Sequence, residues 1–273
     1  MPPLRVVQLS DLHAGTHEEP EVEGDLRSLV SEFAPELVVV SGDLTHRNEP
    51  SEHDRAARIL RSLGAPLLVV PGNHDIPKLP PWRFTRTFRE FERVWSDTEP
   101  THRSERLVAC GLNSVRPWKQ QGGALRHSQL DRARRCFDAA APAALRVAVL
   151  HHHLLGAPWR TAKRTIANRS SVLGGLVDAG AELIISGHVH QSAVAERREF
   201  EVMPGATRGA VVVTAPGLGQ PRPKRRGEAR GLHVYEADER SLRVLTYSWA
   251  ANQWAQIADR RFPRGSEPLA AIG

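Results

Sequence analysis

Five short clusters in this sequence combine carboxylate, imidazole and amide side chains at spacings suited to holding metal ions. They are Asp11-Leu12-His13, Gly42-Asp43, Gly72-Asn73-His74-Asp75, the triplet His151-His152-His153, and Gly187-His188-Val189-His190. Seven of the 13 histidines lie in them. Taken singly each is ordinary: a Gly-Asp turn, a loop whose Asn and Asp bond their own backbone, a chance run of histidines. Taken together, each just beyond an apolar run, they are not explained by chance. Carboxylate, imidazole and amide oxygen suit divalent first-row metals, and the set lacks the thiolates of structural zinc sites. Two such ions roughly 3.5–4 Å apart can clamp a phosphoryl group and lower the pKa of a bound water. Asp43 can bridge them, because each carboxylate oxygen can coordinate a different ion. Hydrolysis of a phosphate ester needs both effects, since the anionic substrate repels hydroxide.

The elements that must position these groups are legible around them. Short Val/Ile/Leu-rich runs predict strands at Arg5–Ser10, Leu37–Ser41, Leu67–Val70, Arg106–Leu112, Leu145–Leu150 and Leu183–Ser186. Helices are expected between them at Asp25–Phe33, Glu52–Leu63, Thr85–Trp95, Gln129–Ala140 and Ser171–Ala179, with Ser128 and Asp131 resembling a capping box. This alternation is the α/β pattern, in which ligands bind outside the carboxyl ends of the strands. Five of the strands end in one of the clusters. Glycines before three of them, at Gly42, Gly72 and Gly187, allow a sharp exit and a close approach to the site. In the last third, strand-like runs at Ala210–Ala215, Leu232–Ala237 and Leu242–Trp249 lack intervening helices, and Asp238-Glu239-Arg240 reads as a hairpin loop. A second, more antiparallel sheet packed on the first is expected. No linker or repeat interrupts the chain, so residues 1–273 read as one domain.

Composition narrows the setting. The 273 residues are 40% hydrophobic and 25% charged, enough for a sizeable core and unlike a disordered chain. No apolar run approaches the roughly 20 residues of a membrane span. The opening residues run directly into the first strand without a leader, so a cytoplasmic protein is expected. Cys110 and Cys136 are expected to be free and buried. The net charge of +6 suggests an anionic partner, but only four of the 37 basic residues are lysine. The dense basic cluster Arg222-Pro223-Lys224-Arg225-Arg226 is read as a solvated hairpin tip, with a substrate-attracting lip as the alternative. No basic stripe interleaved with aromatics points to nucleic acid.

The ordered set Asp-x-His, Gly-Asp, Gly-Asn-His-Asp, His, Gly-His-x-His resembles the calcineurin-like metallophosphoesterase superfamily. It spans Asp11 to His190, about two-thirds of the chain. The resemblance implies a four-layer α/β/β/α sandwich of two mixed β-sheets flanked by helices, with a dinuclear centre at one edge. One metal would be held by Asp11, His13, Asp43 and His190, the other by Asp43, Asn73, His151 and His188. In the triplet, His151 is the expected ligand and His152 the alternative. His74 matches the family's catalytic histidine, with Asp75 expected to orient its ring. The resemblance further implies attack by a metal-bound hydroxide, with iron, manganese, zinc or cobalt as the metals, and it allows a homodimer.

Within the superfamily the sequence is most similar to the class III cyclic-nucleotide phosphodiesterases. A small phosphorylated substrate, a cyclic nucleotide first, is therefore expected. Phosphomonoesterase and glycerophosphodiesterase activities are alternatives, and a non-catalytic scaffold is a remote one. Arg83, Arg86, Arg116 and Arg160 are candidates for the extra charge that a monoester favours. His17 is a minor candidate for reaching the site. Trp82 or Phe84, in the Pro-rich segment after Asp75, is a candidate lip for a nucleobase, or else packs into the body of the domain.

Overall fold

The computed structural model describes residues 2–16, 20–119, 121–159, 161, 163–199, 209–219 and 227–264. His17, Arg160 and the basic cluster Arg222–Arg226 lie outside the described residues.

Among the described residues, two six-stranded sheets form the centre. The first sheet contains β1 (Leu4–Leu9), β2 (Leu37–Val40) and β3 (Leu67–Val69), joined by β10 (Gly231–Ala237), β11 (Ser241–Ala250) and β12 (Gln253–Pro263). Its order is β12-β11-β10-β1-β2-β3, with β1, β2 and β3 parallel and β10 antiparallel to β1. The second sheet contains β4 (Thr101–Arg103), β5 (Leu107–Gly111), β6 (Leu145–Val149), β7 (Leu183–Ser186), β8 (Ala193–Glu196) and β9 (Val211–Thr214). Its order is β4-β5-β6-β7-β9-β8, a parallel centre with an antiparallel strand at each edge.

Alternation along the strands decides the layering. Val6, Val39 and Leu68 face Leu145, Val147 and Ile185 in the core between the sheets. The opposite residues Val7, Val38 and Val40 pack with Leu26 and Val30 of α1 (Pro20–Phe33) and Leu60 of α2 (Pro50–Arg61). On the far side, Val108, Ala148 and Ile184 pack with Phe137 of α5 (His127–Asp138) and Leu176 of α6 (Arg169–Asp178). The result is the expected four-layer α/β/β/α sandwich. Full burial of each Val or Leu stabilises it by roughly 1.5–3 kcal/mol.

Three local expectations need correction. The last strands do not build a separate antiparallel sheet: β10, β11 and β12 extend the first sheet from the free edge of β1, while β4 to β9 make the second. Both sheets are mixed: the β10–β11 hairpin pairs antiparallel along the edge of β1 in the first, and β4 and β8 are antiparallel edge strands in the second. The predicted helix Thr85–Trp95 is broken into α3 (Trp82–Thr85) and α4 (Arg89–Trp95). The intervening Arg86 leaves helical geometry at φ −139, in a Phe-Thr-Arg-Thr-Phe run of weak helix formers. Finally, α5 starts one residue before Ser128, and the Gln129 side chain accepts the Arg126 N–H at 2.8 Å. Cys110 and Cys136 are free and buried as expected, and among the described residues no helix is long and apolar enough to cross a membrane.

Candidate metal centre

The ends of β1, β2 and β3 in one sheet and of β6 and β7 in the other meet at one rim. The chain must leave each strand abruptly to aim a side chain there. Asp11, His13, Asp43, His188 and His190 all do so with positive φ, between 47° and 79°. Asp and His tolerate this left-handed region better than β-branched residues, and such strain concentrates at functional sites. The approach is close enough to demand glycine at Gly187, where a Cβ would strike the Ser10 hydroxyl and the Asp11 carboxylate. At Gly72 a Cβ would strike Asp43.

Backbone hydrogen bonds then lock the loops together. Asp11 N–H donates to the Gly42 carbonyl at 2.9 Å and His13 N–H to the Asp43 carbonyl at 3.0 Å. Asp11 Oδ2 accepts the Ser10 hydroxyl at 2.6 Å and the His188 N–H at 2.9 Å. Its Oδ1 is left pointing at His190 Nε2, 3.0 Å away. Asp43 Oδ1 accepts the His74 N–H at 2.9 Å and lies 3.3 Å from His151 Nε2.

The side chains form two adjoining groups, Asp11 with His13 and His190, and Asp43 with His151 and His188; within each, the ligand-type atoms lie within 4.8 Å of one another. Asn73 Oδ1 joins the second group, 3.2 Å from His151 Nε2. All seven sequence-predicted ligand positions are thus brought to one place. His151, and not His152, faces the group. His152 turns its Nδ1 to the Ser114 hydroxyl at 2.8 Å, and His153 stacks on the His188 ring.

The donor chemistry fits cations. A carbonyl can only accept, so His151 Nδ1 must donate its proton to Ser41 O at 2.8 Å. A neutral His151 then aims the Nε2 lone pair at the oxygens of Asn73 and Asp43, which also carry lone pairs. His13 repeats the pattern, with Nδ1 on the Thr45 carbonyl at 3.2 Å and Nε2 facing His190 Nε2 at 3.1 Å. Asp11 Oδ1, Asp43 Oδ2 and His188 Nε2 are buried with no hydrogen-bond partner among the described residues. Converging lone pairs need either protons or metal ions between them. Without an ion, burial disfavours the His151 imidazolium, yet the Asp43 carboxylate pushes its pKa up to about 9. Burial holds His13 down to about 3, a neutral imidazole ready to coordinate. Asp43 is also fully buried, but His151 and His74 beside it keep its carboxyl well below the usual range.

Asp75 does not orient the His74 ring. Its carboxylate is buried and accepts N–H groups from Gly72 at 2.8 Å, Leu44 at 3.2 Å and Thr45 at 2.9 Å, tying the β2 and β3 loops together. The His74 ring is set instead by its Nδ1–H donating to the His46 carbonyl at 2.9 Å. Among the described residues, His46, Lys163 and Glu228 also reach the site from outside the motifs. His46 follows Thr45 directly and was within reach of the Gly-Asp cluster as a signal. Lys163, whose ammonium donates to the His188 carbonyl and lies 3.3 Å from His190 Nε2, and Glu228, 3.8 Å from His190 Nδ1, come from distant loops with no local signature.

The family model described as "Calcineurin-like phosphoesterase" matches residues 4–192, the stretch that supplies every one of these seven positions. The chain belongs to the calcineurin-like phosphoesterase family. It is 26% identical over 214 residues to a probable cyclic nucleotide phosphodiesterase of Synechococcus, covering 71% of this chain and 76% of that one. It is 28% identical over 232 residues to the 3′,5′-cyclic adenosine monophosphate phosphodiesterase CpdA of Pseudomonas aeruginosa, covering 78% of each. Among solved structures, a purple acid phosphatase from yellow lupin superposes with a TM-score of 0.70 at 12% identity, over 99% of this chain and 57% of that one. That likeness concerns the fold. As a calcineurin-like phosphoesterase the protein is a metal-dependent enzyme, and its family works with a dinuclear metal centre.

Proposed function

We propose that this phosphoesterase hydrolyses small phosphodiesters, cyclic nucleotides first among them, with two metal ions held by seven side chains. Asp11, His13, Asp43 and His190 would hold one ion, and Asp43, Asn73, His151 and His188 the other. When bound, such a pair neutralises phosphoryl charge and lowers the pKa of a water molecule. Asp11 contributes Oδ1 alone, because Oδ2 is occupied by Ser10 and His188. His74, with its Nδ1 proton tied to the His46 carbonyl, is left with Nε2 to exchange a proton with the leaving oxygen.

The observation that carries the diester reading is the state of the arginines. A dianionic monoester favours extra cations in the pocket. Arg83 is buried and donates to the carbonyls of Pro117, Pro77 and Lys119, at 2.6, 2.9 and 3.0 Å. Arg116 is buried and donates to the carbonyls of Asn113 and Val115 and to Gln129. Arg86 lies over the Trp82 ring at 4.3 Å. Arg83 and Arg116 are thus committed to holding loops, and the exposed Arg86 is stacked on Trp82. The two relatives named as cyclic nucleotide phosphodiesterases point the same way. So does a cleft of about 870 Å³ lined by Trp118, Lys119, Arg164 and Ile166, large enough for a nucleoside. Its wall is tied to the loop after β6, where Ile166 N–H donates to the His153 carbonyl at 3.2 Å. Trp82 is half exposed, as a stacking lip requires. Lys163 beside His190 favours a monoester, and it keeps phosphomonoesterase as the second reading.

The deciding experiment compares turnover of a chromogenic phosphodiester and its matched monoester by the manganese-loaded protein, with Asp43→Ala as control. A strong, Asp43-dependent preference for the diester is expected. Preference for the monoester would replace this reading with a phosphatase. No Asp43-dependent turnover of either, with several metals tried, would leave a scaffold.

A further inference from the structure

The structure assigns a third metal position to His13, His46 and His74, exclusive with full loading of the pair. The ligand-type nitrogens of these three rings lie within 4.8 Å of one another. The ring centroids are 4.8 Å apart for His13 and His74, 5.9 Å for His46 and His74, and 6.1 Å for His13 and His46. Three loops carry them, and the loops are stitched so that the rings stay together. Ala14 N–H donates to the Leu44 carbonyl at 2.8 Å, His46 N–H to the Ala14 carbonyl at 3.1 Å, and His74 Nδ1–H to the His46 carbonyl at 2.9 Å.

The donor set defines the ligand. Imidazole ligands favour zinc, copper or nickel, whereas manganese is better served by the pair, whose set includes two carboxylates and an amide oxygen. The available nitrogens define the consequence. His13 has Nδ1 committed to the Thr45 carbonyl, so it would ligate through Nε2, the atom that faces Asp11, Asp43 and His190. His74 has Nδ1 committed to the His46 carbonyl, so it too would ligate through Nε2. An ion seated here takes one ligand from the pair and also occupies the nitrogen assigned to proton transfer. Excess zinc therefore inhibits the enzyme through His46. The effect on rate rests on the proposed role of His74, but the binding does not.

The test titrates zinc into the manganese-loaded protein, wild type and His46→Ala, with manganese in excess. Bound zinc is measured by equilibrium dialysis and elemental analysis. Turnover of a chromogenic phosphodiester is read relative to each protein's own zinc-free rate. The wild type is expected to bind one tight zinc and lose turnover in step with it. His46→Ala should bind that zinc, and be inhibited by it, at least tenfold more weakly. His46→Phe, which keeps a ring in place, should match His46→Ala. Equal zinc affinity in all three proteins overturns the site. Tight zinc that depends on His46 without inhibition upholds the site but overturns both its exclusivity with the pair and the role given to His74.

Discussion

The Asp11 carboxylate accepts the backbone N–H of His188 at 2.9 Å and so joins the end of β1 to the end of β7, strands of opposite sheets. The same oxygen holds the Ser10 hydroxyl, which leaves only Oδ1 directed at the ligand cluster. Gln8 makes a parallel link one pleat deeper, its amide donating to Ser41 Oγ and to the Ser186 carbonyl, both at 2.9 Å. The rim of the site is thus sewn across the sandwich by polar groups that are completely buried.

Asp43→Ala should lose both ions and all turnover above the protein-free background, because its two oxygens face both ligand groups. Elemental analysis after gel filtration reads the metal content directly. Retention of two ions per chain would remove Asp43 from the bridging position.

His74→Ala and Asp75→Ala should fail differently. His74→Ala should keep its metals and lose about 10²–10⁴ in kcat, the usual range for a proton-transfer group. Asp75→Ala should instead lower the melting temperature, since it strands buried N–H groups of Gly72, Leu44 and Thr45 at about 1–3 kcal/mol each. A normal melting temperature with an altered pH–rate profile in Asp75→Ala would restore the ring-orienting role.

Gly187→Ala is expected to destabilise the protein by about 1–3 kcal/mol, the usual range for overpacking. Metal affinity should fall with it, as the added methyl pushes Ser10 and Asp11 away from His188. Denaturant unfolding and a metal titration together check this. Unchanged affinity would mean that the loop shifts without moving Asp11.

Trp82→Ala should raise KM for a cyclic nucleotide while leaving turnover of a small artificial diester unchanged. Equal losses on both substrates would give Trp82 a structural role and end the lip proposal.

His233 supplies a stability signature. It is fully buried in β10, its Nε2 meets the Ser192 hydroxyl at 3.0 Å, and burial lowers its pKa to about 3. The unfolded chain binds this proton near pH 6.5, so stability is complete above that value and falls as pH drops toward 3. The slope contributed is up to about 1.4 kcal/mol per pH unit. His233→Val should flatten the acid side of the curve for metal-free protein by that amount. An identical slope in both proteins would show that His233 is already protonated in the fold.

The parts of this architecture legible in the sequence were those that burial writes into it. Strands such as β2 and β7, covered on both faces, are unbroken apolar runs, and the ligands after them stand out against that background. β12 escaped because it is mostly exposed and polar, held in place by pairing along β11 rather than by a hydrophobic face. β4, three residues at a sheet edge, carries no periodicity at all. The division into two sheets depends on which edge of β1 is left open, a long-range fact. At the site, the ligand types were readable but the positive φ that aims Asp11, His13 and Asp43 was not, nor was the substitution of the His46 carbonyl for Asp75. Lys163 and Glu228 arrive from loops that the motif order never mentions.

The proposed ligands are divided between the sheets, with Asp11, His13, Asp43 and Asn73 following strands of the first, and His151, His188 and His190 following strands of the second. Each ion would draw on both. A half-assembled chain, with one sheet formed and the other undocked, therefore holds only fragments of a binding cage. Capture of the pair would then come late in maturation, a rivet driven once the two slabs have closed. Chelators would act on the same seam in reverse, loosening the closed sandwich from the rim inward.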